Sequence, residues 1–125
     1  MLCTAPACPL SVLVVDDDKD TADTCALLLC LNGYDVRATY DGPQALAQLN
    51  GWEPAAVLLD IMLPGCDGIE LREQICRAAK RRPTMIAVTG LGTRDDLEQV
   101  RAAGFDRVLL KPVDPEELLT ILRAI

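Results

Sequence analysis

The sequence predicts a doubly wound α/β domain, a (βα)5 chain whose five-stranded parallel sheet runs in the order 2-1-3-4-5. Three observations predict it. Short apolar runs alternate with helix-period segments along the chain, and strands separated by helices make right-handed crossovers into a parallel sheet. Four runs are continuously apolar, as strands covered by helices on both faces are, whereas one alternates polar with apolar and reads as an edge strand. Each continuous run also ends on a polar residue: Asp16 and Asp17 after Val12-Leu13-Val14-Val15, Asp60 after Ala56-Val57-Leu58-Leu59, Thr89 after Met85-Ile86-Ala87-Val88, and Lys111 after Val108-Leu109-Leu110. Ligands bind beyond the carboxyl ends of such strands, at the point where strand order reverses. Here that point lies between strands one and three, where Asp16, Asp17 and Asp60 converge.

The elements follow in order. Strand one spans Ser11 to Val15, and helix one runs from Asp18 or Lys19 to Leu31 with Ala22, Cys25, Ala26 and Leu29 on one face. Asn32-Gly33 is a helix-stop signal. Strand two, Asp35 to Thr39, is the alternating one. Pro43 suits the first turn of helix two, which ends near Asn50-Gly51. Strand three is Ala55 to Leu59. After the loop Pro64-Gly65-Cys66-Asp67-Gly68, helix three extends to Arg81, so that Lys80-Arg81-Arg82 reads as a solvated helix end complementing the helix dipole. Strand four is Thr84 to Val88. Thr93 caps helix four with Asp96 three residues on, and Gly104 ends it. Strand five is Arg107 to Leu110. Asp114-Pro115-Glu116-Glu117 combines an N-cap, a first-turn proline and first-turn acids. Helix five then sets Leu118, Ile121, Leu122 and Ile125 on one face.

The 125 residues suffice for one core, and half of them are hydrophobic, which argues against disorder. Residues 1–9 read as a tail and 10–125 as the domain. A net charge of −7 argues against a nucleic-acid surface, which needs clustered Lys and Arg. No run approaches the ~18 apolar residues of a membrane span, and the N-terminus lacks a basic flank and long apolar segment, so a cytoplasmic address is expected. Six cysteines occur, but no CxxC pair and no histidine. Cys3/Cys8 and Cys25/Cys30 are each five apart, an interval that turns helical side chains to different faces. Cys25, Cys30 and Cys76 therefore read as small core or half-buried residues. Cys3 and Cys8 fall in the tail, and Cys66 in the loop beside Asp60, with little to support a redox role.

Carboxylates crowded into one crevice repel each other, and a hard divalent cation with oxygen ligands relieves the repulsion. Magnesium keeps several waters and accepts phosphate oxygens, while Lys111 offers a compact positive charge. Phosphoryl transfer needs little beyond such positioning and charge neutralisation. Plainer structural readings stand beside these. Asp18 is better read as a helix cap, and Asp67 with Gly68 as the turn that starts helix three.

Over residues 10–125 the chain resembles the receiver domain of two-component response regulators, a flavodoxin-like fold. The resemblance is carried by Val14-Val15-Asp16-Asp17-Asp18, by Leu59-Asp60-Ile61-Met62-Leu63-Pro64-Gly65-Cys66-Asp67-Gly68, by Val88-Thr89-Gly90 and by Leu110-Lys111-Pro112-Val113. It implies that Asp60 is the phosphoacceptor. Asp17 would bind Mg²⁺ directly, Asp16 mainly through a water, and Met62 through its backbone carbonyl. Thr89 would hydrogen-bond the phosphoryl group and Lys111 pair with it, with a cis Lys111–Pro112 peptide. The implied donors are a histidine kinase or a histidine phosphotransfer protein. Ala103-Gly104-Phe105-Asp106 and Lys111-Pro112-Val113-Asp114 look most like receivers attached to hybrid sensor kinases. With no output domain in the sequence, signalling is expected through the surface of helix four, strand five and helix five, where Leu119 is apolar yet off the core stripe.

The chain departs from the family pattern at Val108, where many receivers carry an aromatic switch residue. Gly90 leaves access open to a phosphodonor. Met62 and Leu91, two residues beyond Asp60 and Thr89, are apolar and unable to orient a hydrolytic water, so slow loss of the phosphoryl group is expected. Two rival functions remain: a phosphohydrolase turning over through an aspartyl-phosphate, and a binding module of the same fold that is not phosphorylated. Phosphatases of the haloacid-dehalogenase type carry a second Asp where this chain has Met62, which weighs against the first. The intact acids, Thr89 and Lys111 weigh against the second, and the absence of a Gly-rich loop after strand one weighs against a nucleotide or flavin site.

Overall fold

A computed structural model describes residues 10–63, 65, 67–90 and 92–125. The predicted tail, and with it Cys3, Cys8, Pro64, Cys66 and Leu91, lies outside the described residues. Along the chain come β1 (Ser11–Val15), α1 (Lys19–Leu31), β2 (Asp35–Thr39), α2 (Gly42–Gln48), β3 (Ala56–Asp60), α3 (Gly68–Ala78), β4 (Thr84–Thr89), α4 (Arg94–Ala102), β5 (Arg107–Leu110) and α5 (Pro115–Arg123). The strands form one parallel sheet in the order β2-β1-β3-β4-β5, as the sequence predicts.

Side-chain alternation divides the core in two. Val12, Val14, Leu58, Ile86 and Val88 pack with Ala22 and Leu29 of α1 and with Leu118, Leu119 and Leu122 of α5. On the other face Leu13, Val57, Leu59 and Met85 pack with Ala45 of α2, Leu71 and Ile75 of α3, and Val100 of α4. Two helices therefore cover one face of the sheet and three the other. Every residue of β3 is buried, whereas the edge strand β2 is mostly half-exposed.

Caps explain why the helices start where they do. Asp18, Asp41, Asp67, Thr93 and Asp114 each accept hydrogen bonds from first-turn backbone N–H groups, and each such cap is worth about 1 kcal/mol. Gly68 opens α3 for a steric reason, since a Cβ there would lie 2.6 Å from Ile61 Cα. The chain after β3 can fold back this closely only without a side chain at that point.

Four expectations need correction. Helix α3 stops at Ala78, three residues before Arg81, and Ala79 is already extended. Lys80, Arg81 and Arg82 are exposed but off the helix. Arg82 instead donates to Asp106 Oδ2 at 3.0 Å and to the Gly104 carbonyl at 2.9 Å, tying the α3–β4 link to the α4–β5 link. Leu119 is only 5% exposed and belongs to the core, because α5 presents a wider apolar face than its strict stripe suggests. Ile125 lies past the end of α5 and is exposed. Cys30 is half-buried as expected but disulfide-bonded, which the cysteine spacing does not reveal.

Candidate functional site

The carboxyl ends of β1, β3, β4 and β5 deliver the chemistry-bearing residues to one rim. Asp16 and Asp60 are 5% and 3% exposed, and Thr89 is 1% exposed. Burying two carboxylates is costly unless they are paired and hydrogen-bonded. Lys111 provides the pairing: its Nζ lies 2.7 Å from Asp60 Oδ2 and 3.3 Å from Asp16 Oδ2. Backbone donors hold the other oxygens, with Asp18 N–H donating to Asp16 Oδ1 at 3.0 Å and Met62 N–H to Asp60 Oδ1 at 2.9 Å.

The sheet fixes these positions. Asp16 N–H donates to the Thr39 carbonyl, Ile61 N–H to that of Val88, and Lys111 N–H to that of Thr89, so each strand end is clamped to its neighbour. Thr89 pairs with Leu110 in register, one residue from Lys111. The Lys111–Pro112 peptide is cis, as the resemblance implies.

Electrostatics follow from burial. Burial pushes the Asp16 carboxyl above the usual carboxylate range, and the charge of Asp60 adds to this against the opposing pull of the Asp18 N–H and Lys111. Burial tends to lower the Lys111 ammonium, but its hydrogen bond and charge attraction to Asp60, then to Asp16, leave it raised overall. Lys111 is thus held cationic.

Asp17 is exposed at the mouth of the rim, and carboxylate oxygens of Asp16, Asp17 and Asp60 all lie within 4.8 Å of one another. Three oxygen donors so close, with one ammonium among them, fit a hard divalent cation. Asp18 is the N-cap of α1, accepting from Asp20 N–H and Thr21 N–H, and so stands apart from the acid trio as the sequence reading holds. Asp67 likewise caps α3. Met62 contributes its N–H to Asp60 and is itself 56% exposed. Val108 is half-buried against the α2–α4 side of the core.

One feature was not singled out in the sequence: a cleft of about 670 Å³ opening from the acids between α1 and the start of α5. Its signal lies in the small residues Thr21, Ala22 and Cys25 on the flank of α1. The Cys25 thiol is pushed up to about 11 by burial, with the charge of Asp16 adding.

Comparison with known proteins agrees with this geometry. A family model described as response regulator receiver domain matches residues 12–123. Response regulator MprA of Mycobacterium sp. (strain KMS) is 37% identical over 94% of the chain, and that of Mycobacterium bovis (strain BCG / Pasteur 1173P2) is 36% identical over 91%. The chain spans about half the length of these curated relatives, 50% and 49% respectively. Among solved structures, the chemotaxis protein CheY4 of Vibrio cholerae superposes with a TM-score of 0.83 at 26% identity, covering 94% of this chain and 98% of that one. A response regulator of Burkholderia pseudomallei, solved with a phosphorylated aspartic acid, a calcium ion and citrate, superposes with a TM-score of 0.78 at 25% identity, covering 91% and 71%.

Proposed function

Because this chain belongs to the response regulator receiver domain family, we propose that Asp60 is its phosphoacceptor, served by Asp16, Asp17, Thr89 and Lys111. The observation that carries the reading is Asp60 itself. It is a buried carboxylate at the centre of the rim, ion-paired to Lys111 at 2.7 Å and close to two further acids.

An Asp60 oxygen attacks the phosphorus of a phosphohistidine. The P–N bond breaks as the O–P bond forms, and the imidazole leaves with the bonding pair. Phosphorylation makes Asp60 a mixed acyl-phosphate anhydride, and the oxygen that forms it gives up its present donor, Lys111 at Oδ2 or the Met62 N–H at Oδ1. Lys111 is a flexible point charge able to follow the developing charge onto the phosphoryl oxygens, and Thr89, one register step from Lys111, supplies a hydroxyl for them. Asp16, Asp17, Asp60 and the Met62 carbonyl would hold Mg²⁺, which when bound neutralises phosphoryl oxygens beside the acids. That the Burkholderia pseudomallei regulator was solved with a phosphorylated aspartic acid supports an aspartate as the acceptor here.

A histidine kinase or histidine phosphotransfer protein is the proposed donor, and residues 10–125 the receiver domain. The downstream partner would read the face of α4, β5 and α5. With Leu119 buried there, the exposed Leu110 of β5 is the apolar element on offer. Among the described residues no helix is long and apolar enough to cross a membrane.

Incubation with acetyl phosphate and Mg²⁺ tests the assignment. Stoichiometric labelling of the protein and its loss in Asp60→Asn are expected, and equal labelling of both proteins overturns it. Sustained turnover of p-nitrophenyl phosphate would instead favour the phosphohydrolase.

A further inference from the structure

The cleft beside the acids has a chemistry of its own. Alternation along β1 and β3 turns Asp16 and Asp60 toward the same face as Val14 and Leu58, which is the face covered by α1 and α5. The two helices bury most of it, with Leu58 left 3% and Val88 7% exposed, but stand apart beside the acids. Between them lies the cleft of about 670 Å³, within the range that takes small organic molecules. Its floor is Leu58 and Val88, and its walls are Cys25 and Leu28 of α1 and Val113 and Leu118 near α5.

Charge appears at one end alone. Asp16, Asp20 and Asp60 line that end against a single cation, Lys111, three carboxylates to one ammonium. Coulomb repulsion there opposes an anionic ligand and attracts a cationic one, more strongly than in bulk water because Asp16 and Asp60 are buried. The apolar body of the cleft favours a hydrocarbon or aromatic tail.

We propose that this cleft takes an apolar molecule bearing one ammonium head group, which seats its head at Asp16 and Asp60 and thereby excludes a divalent ion from the acid trio. The exclusion rests on the assignment of those acids as the metal site. The cleft would then give the phosphorylation site a small-molecule brake, competitive with the metal and seated at the carboxylate that any phosphodonor must reach.

The test uses ¹⁵N-labelled protein without metal, titrated with 4-phenylbutylamine and separately with 4-phenylbutanoate. Saturable amide shifts at Ala22, Cys25 and Leu118 are expected, with the amine binding at least about tenfold tighter than the carboxylate, a difference of about 1.4 kcal/mol. Excess Mg²⁺ should weaken the amine several-fold. Cys25→Leu, which fills the wall, should abolish binding, whereas Cys25→Ser, which keeps the volume, should retain it; the spectra report whether each variant is folded. Absent shifts, equal affinity for the two probes, indifference to Mg²⁺, or full binding to folded Cys25→Leu would each overturn the proposal. Because none of these readouts requires phosphorylation, unlabelled Asp60 in the acetyl phosphate experiment would sink the phosphoacceptor assignment and leave the cleft standing.

Discussion

At the level of single residues, the site places two side chains under opposite demands. Cys25 sits half-buried in the cleft wall with its thiol pushed up to about 11, by burial first and by Asp16 second. The thiolate is the reactive form, so at pH 7.5 alkylation of Cys25 in the native protein should run about 100-fold slower than for a thiol near 9. Peptide-resolved mass spectrometry after iodoacetamide pulses reads this, and an equal rate in native and urea-unfolded protein would contradict it. The raised value also sets a pH limit: its stabilising contribution is complete below the unfolded thiol's range and fades as pH rises toward 11. Met62, two residues after Asp60, is by contrast 56% exposed. A thioether cannot orient an attacking water as an amide can. Phosphorylated protein should therefore decay slowly, and Met62→Asn should hasten the decay. A half-life of seconds in the parent protein, or unchanged decay in the variant, would dismiss the idea.

At the level of elements, the same residue type does different work according to its position on a strand or helix. Asp16, Asp17 and Asp18 are consecutive, yet Asp16 is buried against Lys111, Asp17 is exposed at the acid trio, and Asp18 caps α1. Asp18→Ala should cost about 1 kcal/mol of stability while acetyl phosphate labelling persists. Asp17→Asn should leave the fold intact and abolish Mg²⁺-dependent labelling. Chemical denaturation paired with labelling separates the two, and loss of labelling in folded Asp18→Ala would reject the division. Much of this division was legible in the sequence, because strand ends and cap positions are set by local pattern. The helix starts follow from it, and the alternation of β2 fits that strand to a sheet edge, while the full strand order and the convergence of Asp16, Asp17 and Asp60 rest also on the resemblance to receiver domains. What escaped depends on distant partners. The early end of α3 is tied to Arg82 reaching Asp106 and Gly104, more than twenty residues away. The burial of Leu119 depends on how α5 rolls onto the sheet, and the cleft on how far apart α1 and α5 stand.

At the level of the whole molecule, a chain of net charge −7 concentrates three acids at the centre of its sheet. Like charges brought together by folding oppose it, so an ion that binds the folded trio stabilises the whole domain by mass action. At a Mg²⁺ concentration 100-fold above its dissociation constant the gain is about 2.7 kcal/mol, and for a domain of this size the melting temperature should rise by about 10 °C. The increment must also depend on pH. Asp16 holds its proton more tightly in the metal-free fold than an ordinary carboxylate does, from burial and then from Asp60. Its protonation therefore stabilises that fold, fully below the usual carboxylate range and less as pH rises through the raised value. Protons and Mg²⁺ then compete for one oxygen set, and the Mg²⁺ increment should shrink as pH is lowered from 8 toward 5. Asp17→Asn, altering an exposed member of the trio, should melt near the parent without metal and lose the increment with it. Scanning calorimetry at both pH values, with and without Mg²⁺, decides the matter. An increment that is absent at pH 8, or that survives undiminished in Asp17→Asn, would mean that the acids fold together for reasons other than holding an ion.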